Sequence, residues 1–287
     1  MKAESPVTPP GSHAPFDPAD KSWGHCSIES SEMDLPRLKF DFLRNGIDGQ
    51  GGRVLEVGCS GARHLSSLQT LDSSRVYVGC DIDVDSMLDG KQAHPKISFV
   101  AADGMRLPFG DEAFDATYCM DYLEHVEDPR RAVSEMARVV KKGGVLSAFV
   151  PCEGNGWTLY YAFSKIFGFN VKKPAAGHIQ SFTDRQVIAL FRQQGLKVTR
   201  VRYSYHLIGH AGDFVLFLMV HLNKKVANLW WSENKYYHGE PQKPKSLLVR
   251  AFNMLLSTAN FSAYLESKAL HRMRFLSAGI HVNCRKP

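Results

Sequence analysis

Five short apolar runs, at 53–57, 76–80, 97–101, 116–119 and 145–150, are separated by polar stretches with helical spacing. Runs of this length, rich in β-formers and bounded by turn residues, predict buried strands. A first helix is predicted near 35–45. Over 128–140, Pro129 stands in the first turn, and Ala132, Val133, Met136, Val139 and Val140 make one apolar face. Gly143 and Gly144 are expected to stop that helix. A further helix over 183–195, capped by Ser181 or Thr183 and ended by Gly195, leads into a sixth strand at 196–203. Regular alternation of this kind predicts a parallel sheet wrapped by helices.

The pattern then changes. Residues 278–285 alternate like a strand, expected to lie antiparallel between the fifth and sixth. The stretch 205–276 before it is helical in pattern. Leu207, Ile208, Ala211, Phe214, Val215, Leu218, Met219 and Leu222 form one stripe, and Leu247, Leu248, Ala251, Phe252, Leu255 and Leu256 a second. The expected organisation is therefore a loosely attached leader (1–22, with prolines at 6, 9, 10, 15 and 18), a core (23–204), a helical insertion (205–276) and a final strand (277–287). The apolar run 214–220 falls far short of the roughly 18–20 residues of a membrane span. Trp230, Trp231, Tyr236 and Tyr237, among Lys224, Lys225, Lys235, Lys243 and Lys245, leave two readings of the insertion. It is a lid packed on the core, or a surface that meets an anionic membrane interface.

Composition narrows little. With 287 residues, 44% of them hydrophobic, the chain buries a full core, and a net charge of +6 is only modestly basic. The basic residues are scattered, so a nucleic-acid partner is not expected. Six cysteines show no zinc-type spacing, and no metal is expected. With no secretory signal read at the start, they point to a reducing cytosol, with peripheral membrane contact as an addition.

The candidate chemistry lies where the strands end. VLEVGCSGARHL at 54–65 is a strand, a small-residue turn and a helix start, a device that brings backbone N–H groups against a ligand. The second strand ends in Asp81, an acid suited to ribose hydroxyls. These residues, with VYVGCDID at 76–83, AADGMRLPFGDEAFDATYCMDYLEHV at 101–126 and KKGGVLSAFVP at 141–151, resemble the class I S-adenosylmethionine-dependent methyltransferases, nearest the type 11 group of quinone and lipid methyltransferases. The resemblance covers 52–205. It implies a Rossmann-like seven-stranded α/β sheet, here with a mostly helical insertion between the sixth and seventh strands, and S-adenosyl-L-methionine as cofactor. It places Glu56 and Gly58 toward the methionine end, Asp81 at the ribose hydroxyls, and Asp103 with the Gly104 and Met105 backbone at the adenine. Cys59, Ser60, Gly61, Ile82 and Cys119 complete the cofactor-binding residues that it implies. Where the family has glycines, this chain has Ser60 and Ala62, which fit if their φ angles are negative.

Methyl transfer needs alignment first, and a base only if the acceptor must lose a proton. His125, after the fourth strand, and His178 are the candidate catalytic bases; His206 and His210 are placed to line the same mouth. Cys152 lacks the surroundings of a cytosine-methylating nucleophile, and the N-P-P-[YF] pattern for exocyclic amines is absent. The expected acceptor is small, apolar or lipid-linked, with transfer to oxygen favoured over carbon. An RNA methyltransferase and a non-catalytic scaffold of the same fold are the alternatives. A nicotinamide dehydrogenase would need G-x-G-x-x-G, which the chain lacks.

Overall fold

The computed structural model describes residue 24 and residues 26–223 and 247–287. The leader and the Trp- and Lys-rich segment holding Trp230, Trp231, Tyr236 and Tyr237 lie outside the described residues, with Lys224, Lys225, Lys235, Lys243 and Lys245. Seven strands form one sheet: β1 (Arg53–Val57), β2 (Val76–Asp81), β3 (Ser98–Ala101), β4 (Phe114–Met120), β5 (Val140–Pro151), β6 (Lys197–Ser204) and β7 (Gly279–Arg285). Their order is β3-β2-β1-β4-β5-β7-β6. All neighbours are parallel except β7, which pairs antiparallel with both β5 and β6. The expected return of 278–285 is thus found.

Helices α1 (Leu35–Ile47), α2 (Arg63–Leu71) and α3 (Val84–Ala93) precede β4, and α4 (Pro129–Val139), α5 (Leu159–Phe167), α6 (Lys172–Ala176) and α7 (Asp184–Gln193) follow it. Alternate strand residues supply two cores. Leu55, Val57, Cys119, Leu146 and Ile280 face Val133, Met136, Val187 and Phe191 of α4 and α7. Val54, Tyr77, Tyr118 and Phe149 face Phe40, Leu43 and Leu65 of α1 and α2. Burying one Leu or Phe is worth about 1.5–3 kcal/mol, so both faces contribute heavily.

Local chemistry sets the ends. Asp128 caps α4 by accepting from the Arg131 N–H at 3.0 Å. Thr183, not Ser181, caps α7 in a reciprocal box with Gln186. The Gly143-Gly144 pair does not stop α4. That helix ends at Val140, which is already extended (ψ 140°) and opens β5. Gly143 instead bends the strand with φ +73°, and a Cβ on Gly144 would lie 2.7 Å from the Asp115 carbonyl oxygen. The opposing register shifts between Phe114 and Ala116.

Between β6 and β7 run α8 (Leu207–Leu222) and α9 (Leu247–Leu270). The second helix extends well past its predicted stripe. Ala263 and Tyr264 of α9 pack on Leu35, Leu38 and Phe42 of α1. The Glu266 carboxylate accepts from the Ile208 and Gly209 N–H groups at 2.8 and 3.4 Å, so α9 caps α8. Among the described residues, no helix is long and apolar enough to cross a membrane.

Candidate active site

Strand order reverses between β1 and β4, and a parallel sheet opens a crevice at that point, beyond the strands' carboxyl ends. The β1 loop lines one side. Gly58 adopts φ +76°, and its N–H and that of Cys59 donate to the Cys80 carbonyl at 2.8 and 3.2 Å. Ser60 and Ala62 also have positive φ, 44° and 64°. The condition under which they would replace glycine freely is not met, and the loop carries strain at two L-residues. Hydrogen bonds hold it there: the Ser60 N–H donates to Asp81 Oδ2 at 2.7 Å, and the Ala62 N–H to the Cys59 carbonyl at 2.7 Å.

Asp81 ends β2. Its other oxygen accepts from the Asp83 N–H at 3.0 Å. Burial pushes its carboxyl up, against the pull of those N–H groups. Beside it Ile82 is 72% exposed, a large apolar side chain left in water next to a polar cleft. Asp103 accepts from the Met105 N–H at 2.8 Å. Glu56 is buried, taking the Tyr118 hydroxyl at 3.1 Å and facing His64 Nδ1 at 3.0 Å, so its part is to brace the loop. The Cys119 side chain lies wholly in the core, leaving only its main chain to face a ligand. Cys59 is likewise buried, its sulfur 2.6 Å from where a Cβ on Gly79 would stand.

Sequence reasoning missed Tyr122. Its ring lies across both loops: a Cβ on Gly58 would sit 2.6 Å from the ring, and one on Gly104 2.2 Å from its hydroxyl. It missed Asp121 too, a non-glycine residue at φ +50° whose carboxylate pairs with the buried Lys39 of α1. Burial alone would raise that carboxyl, but Lys39, by charge and hydrogen bond, holds it below its ordinary value. A polar residue among the apolar positions of α1 was the available signal for Lys39.

His125 and His178 come together, ring centroids 4.9 Å apart and nearly perpendicular. His125 is the accessible one, its side chain 38% exposed. Burial and then His178 lower its ring to about 4. His178 is buried, its Nδ1 2.6 Å from Glu153 Oε1. Burial would raise Glu153, but His178 and Lys172 hold it at about 2. Lys172 in turn meets Asp213 of α8 at 2.8 Å, so the insertion is tied to this side of the cleft. His206 and His210 do not line the mouth. Both are buried, His206 donating to the Met273 carbonyl (2.9 Å) and His210 Nε2 accepting from the Leu159 N–H (2.7 Å), and they fasten the insertion.

A strained small-residue loop, an acid at the end of the second strand and an exposed apolar side chain beside it fit an adenosyl group: polar at the ribose, flat and apolar at the base. Residues 55–148 match the family model described as a methyltransferase domain. A demethylmenaquinone methyltransferase of Paenarthrobacter aurescens is 36% identical over 116 residues, 38% of this chain and 45% of that protein. A ubiquinone biosynthesis O-methyltransferase of Alkalilimnicola ehrlichii is 30% identical over 141 residues, 46% of this chain and 55% of that protein. The chain therefore spans about half the length of the curated relatives it matches. Phosphoethanolamine N-methyltransferase 2 of Haemonchus contortus, solved with S-adenosyl-L-methionine, shares the fold. It aligns with TM-score 0.55 and 14% identity over 88% of this chain and 52% of that one.

Proposed function

We propose that this chain, which belongs to the class I S-adenosylmethionine-dependent methyltransferases, methylates an oxygen of a small apolar acceptor of the quinone or lipid kind. The observation that carries the reading is the Gly58, Asp81 and Ile82 arrangement at the switch point of the sheet. Bound there, the cofactor supplies an electrophilic methyl group on a sulfonium. Asp81 would accept from its ribose hydroxyls, and Ile82 would cover a face of the adenine. Asp103 would meet the adenine's polar edge, and Gly58 would give the methionine end close access to the backbone.

The rest of the chemistry falls to the far side of the cleft. His125, neutral at pH 7 because its ring is lowered to about 4, offers a lone pair to a hydroxyl. A base that weak takes the proton only as the oxygen loses it, so holding the acceptor in line provides most of the acceleration. The names of the two quinone-pathway relatives support the acceptor class. A membrane-borne acceptor is supported by the apolar surface where α5 and α8 meet. There the rings of Phe169 and His221 meet at a tilt, 5.4 Å apart, and Ile166 and Leu222 are 74% and 73% exposed.

Calorimetry of the full chain with S-adenosylmethionine or its demethylated product tests the reading. Micromolar binding is expected, and Asp81→Ala should weaken it by about 1.5–3 kcal/mol, the worth of hydrogen bonds to a charged acceptor. A folded wild-type chain that binds neither would leave a scaffold of the same fold, the reading that the strained Ser60 and Ala62 favour.

A further inference from the structure

We propose that Glu124, His125 and His178 form a binding site for a divalent transition-metal ion, of the kind that two imidazoles and a carboxylate select. One ligand atom from each lies within 4.8 Å of the others. The Glu124 side chain is 1% exposed, and neither of its oxygens has a hydrogen-bond partner. A buried carboxylate with all its lone pairs unmet is expensive, and natural structures supply it with a partner. Here the groups in front of it are two imidazoles rather than donors committed to it: His125 Nε2 stands 3.9 Å from Glu124 Oε1.

Both rings are already set as ligands. His178 Nδ1 lies 2.6 Å from the Glu153 carboxylate, which only accepts, so that nitrogen carries a hydrogen and Nε2 is the one that can give a lone pair to an ion. His125 Nδ1 lies 3.3 Å from the Gly177 carbonyl oxygen, which imposes the same tautomer. An imidazole anchored at one nitrogen by a carboxylate or carbonyl, with the other nitrogen turned to the site, is the usual support of a metal-ligating histidine. The 310 turn Leu123–His125 is itself held, because the Glu124 carbonyl accepts from the Ile179 and Gln180 N–H groups at 2.9 and 3.0 Å. That contact fixes the His178 loop against the Glu124 turn, so all three ligands ride on one rigid junction.

Ligand bonds to zinc run about 2.0–2.2 Å, which brings ligand atoms to roughly 3–3.5 Å of each other. Rotation of His125, the exposed member, would close the set. Burial, and after it Asp121, push the Glu124 carboxyl well up. With an ion bound and that proton displaced, the donor set would carry a single negative charge, with Glu153 behind His178 and Asp121 nearby but paired with Lys39. Two nitrogens and one oxygen suit zinc, manganese or iron(II), whereas magnesium and calcium prefer oxygen throughout. Three protein ligands leave positions open toward the exposed side of His125. If the acceptor reading holds, an acceptor hydroxyl would bind the ion there and release its proton to water, the ion then replacing the His125 lone pair that it occupies as the activating group. Ion binding itself does not depend on that reading.

The test uses the full chain, stripped with a chelator and titrated with Zn2+, Mn2+ and Mg2+ separately, against a competing chromophoric chelator. One Zn2+ per chain at micromolar affinity or tighter is expected, with Mg2+ at least a hundredfold weaker. Glu124→Gln and His178→Ala should each weaken Zn2+ binding by at least tenfold. The exposed His125→Asn serves as the variant least able to disturb folding, and should do the same with an unchanged circular dichroism spectrum and unchanged cofactor affinity. Mn2+ bound to the wild type should show histidine nitrogen couplings in its electron spin-echo spectrum. A wild type that takes up no more Zn2+ than His125→Asn, or binds Mg2+ equally well, overturns the site. Methyl transfer that persists undiminished without ion in a chain that binds none overturns this inference alone; ion binding without methyl transfer supports it and overturns only the acceptor reading.

Discussion

Gly58, Asp81 and Asp103 were legible in the sequence because each sits in a spaced motif whose physics is local: a turn, a strand end, an acid before a glycine. Tyr122, Asp121 and Glu124 were not, because their neighbours are met only when β4 is set beside the β1 loop and the 178–180 segment. The strain at Ser60 and Ala62 lies between these cases, since residue type can be read but φ cannot. It makes a prediction at this scale. Left-handed geometry costs an L-residue about 1–2 kcal/mol, and glycine costs about 0.4–1 kcal/mol in unfolded-chain entropy. Ser60→Gly should therefore raise stability by about 0.5–1 kcal/mol, read from urea midpoints. Ala62 is fully buried, and losing its methyl costs about 0.8 kcal/mol more. Ala62→Gly should come out near zero; equal gains from both would show that the loop is not strained as described.

Among the elements, all seven strands fell near their predicted runs because apolar periodicity is strong in a doubly covered sheet. Ends were less legible, as at Val140, where a β-branched residue beside a shifted register opened a strand before the glycines. The insertion helices were visible, but not that α9 would cap α8 or that two histidines would turn inward. Gly90 of α3 shows how elements constrain the candidate site: a Cβ there would lie 2.7 Å from the Gly61 carbonyl oxygen, in the β1 loop. Gly90→Ala should gain helix propensity, about 1 kcal/mol, yet displace that loop. We expect a cofactor dissociation constant raised about tenfold, roughly 1.4 kcal/mol, with stability little changed. The α5–α8 surface gives a second test. If it meets lipid, Leu222→Glu and Ile166→Glu should each cut sedimentation with anionic vesicles severalfold and leave cofactor affinity alone; equal sedimentation of wild type and variants would return the insertion to a lid.

The whole molecule should be acid-labile, and the sign follows from its buried imidazoles. His210 is lowered from 6.5 to about 4, chiefly by burial, and His64, His206 and His281 are lowered for the same reason. The unfolded chain thus binds protons that the folded chain refuses, so stability is full above about pH 6.5 and falls from there toward pH 4. Glu153, lowered from 4.5 to about 2, adds a further loss below about pH 4.5. Urea midpoints should decline between pH 7 and pH 5, the imidazoles outnumbering the raised Asp81 and Glu124 carboxyls, which act in the opposite sense. A flat profile over that interval would mean that these rings reach solvent.

The position of β7 has a consequence for how the protein is made. It fills the gap between β5 and β6 from a point some seventy residues further along the chain. At about 5–20 residues per second, a ribosome leaves those two strands with open hydrogen-bonding edges for several seconds. During that interval the nascent chain presents two templates for pairing with other chains. Expression at low temperature or with a holding chaperone should therefore raise the soluble yield, and any cell that makes this protein must shelter a sheet still missing an inner strand.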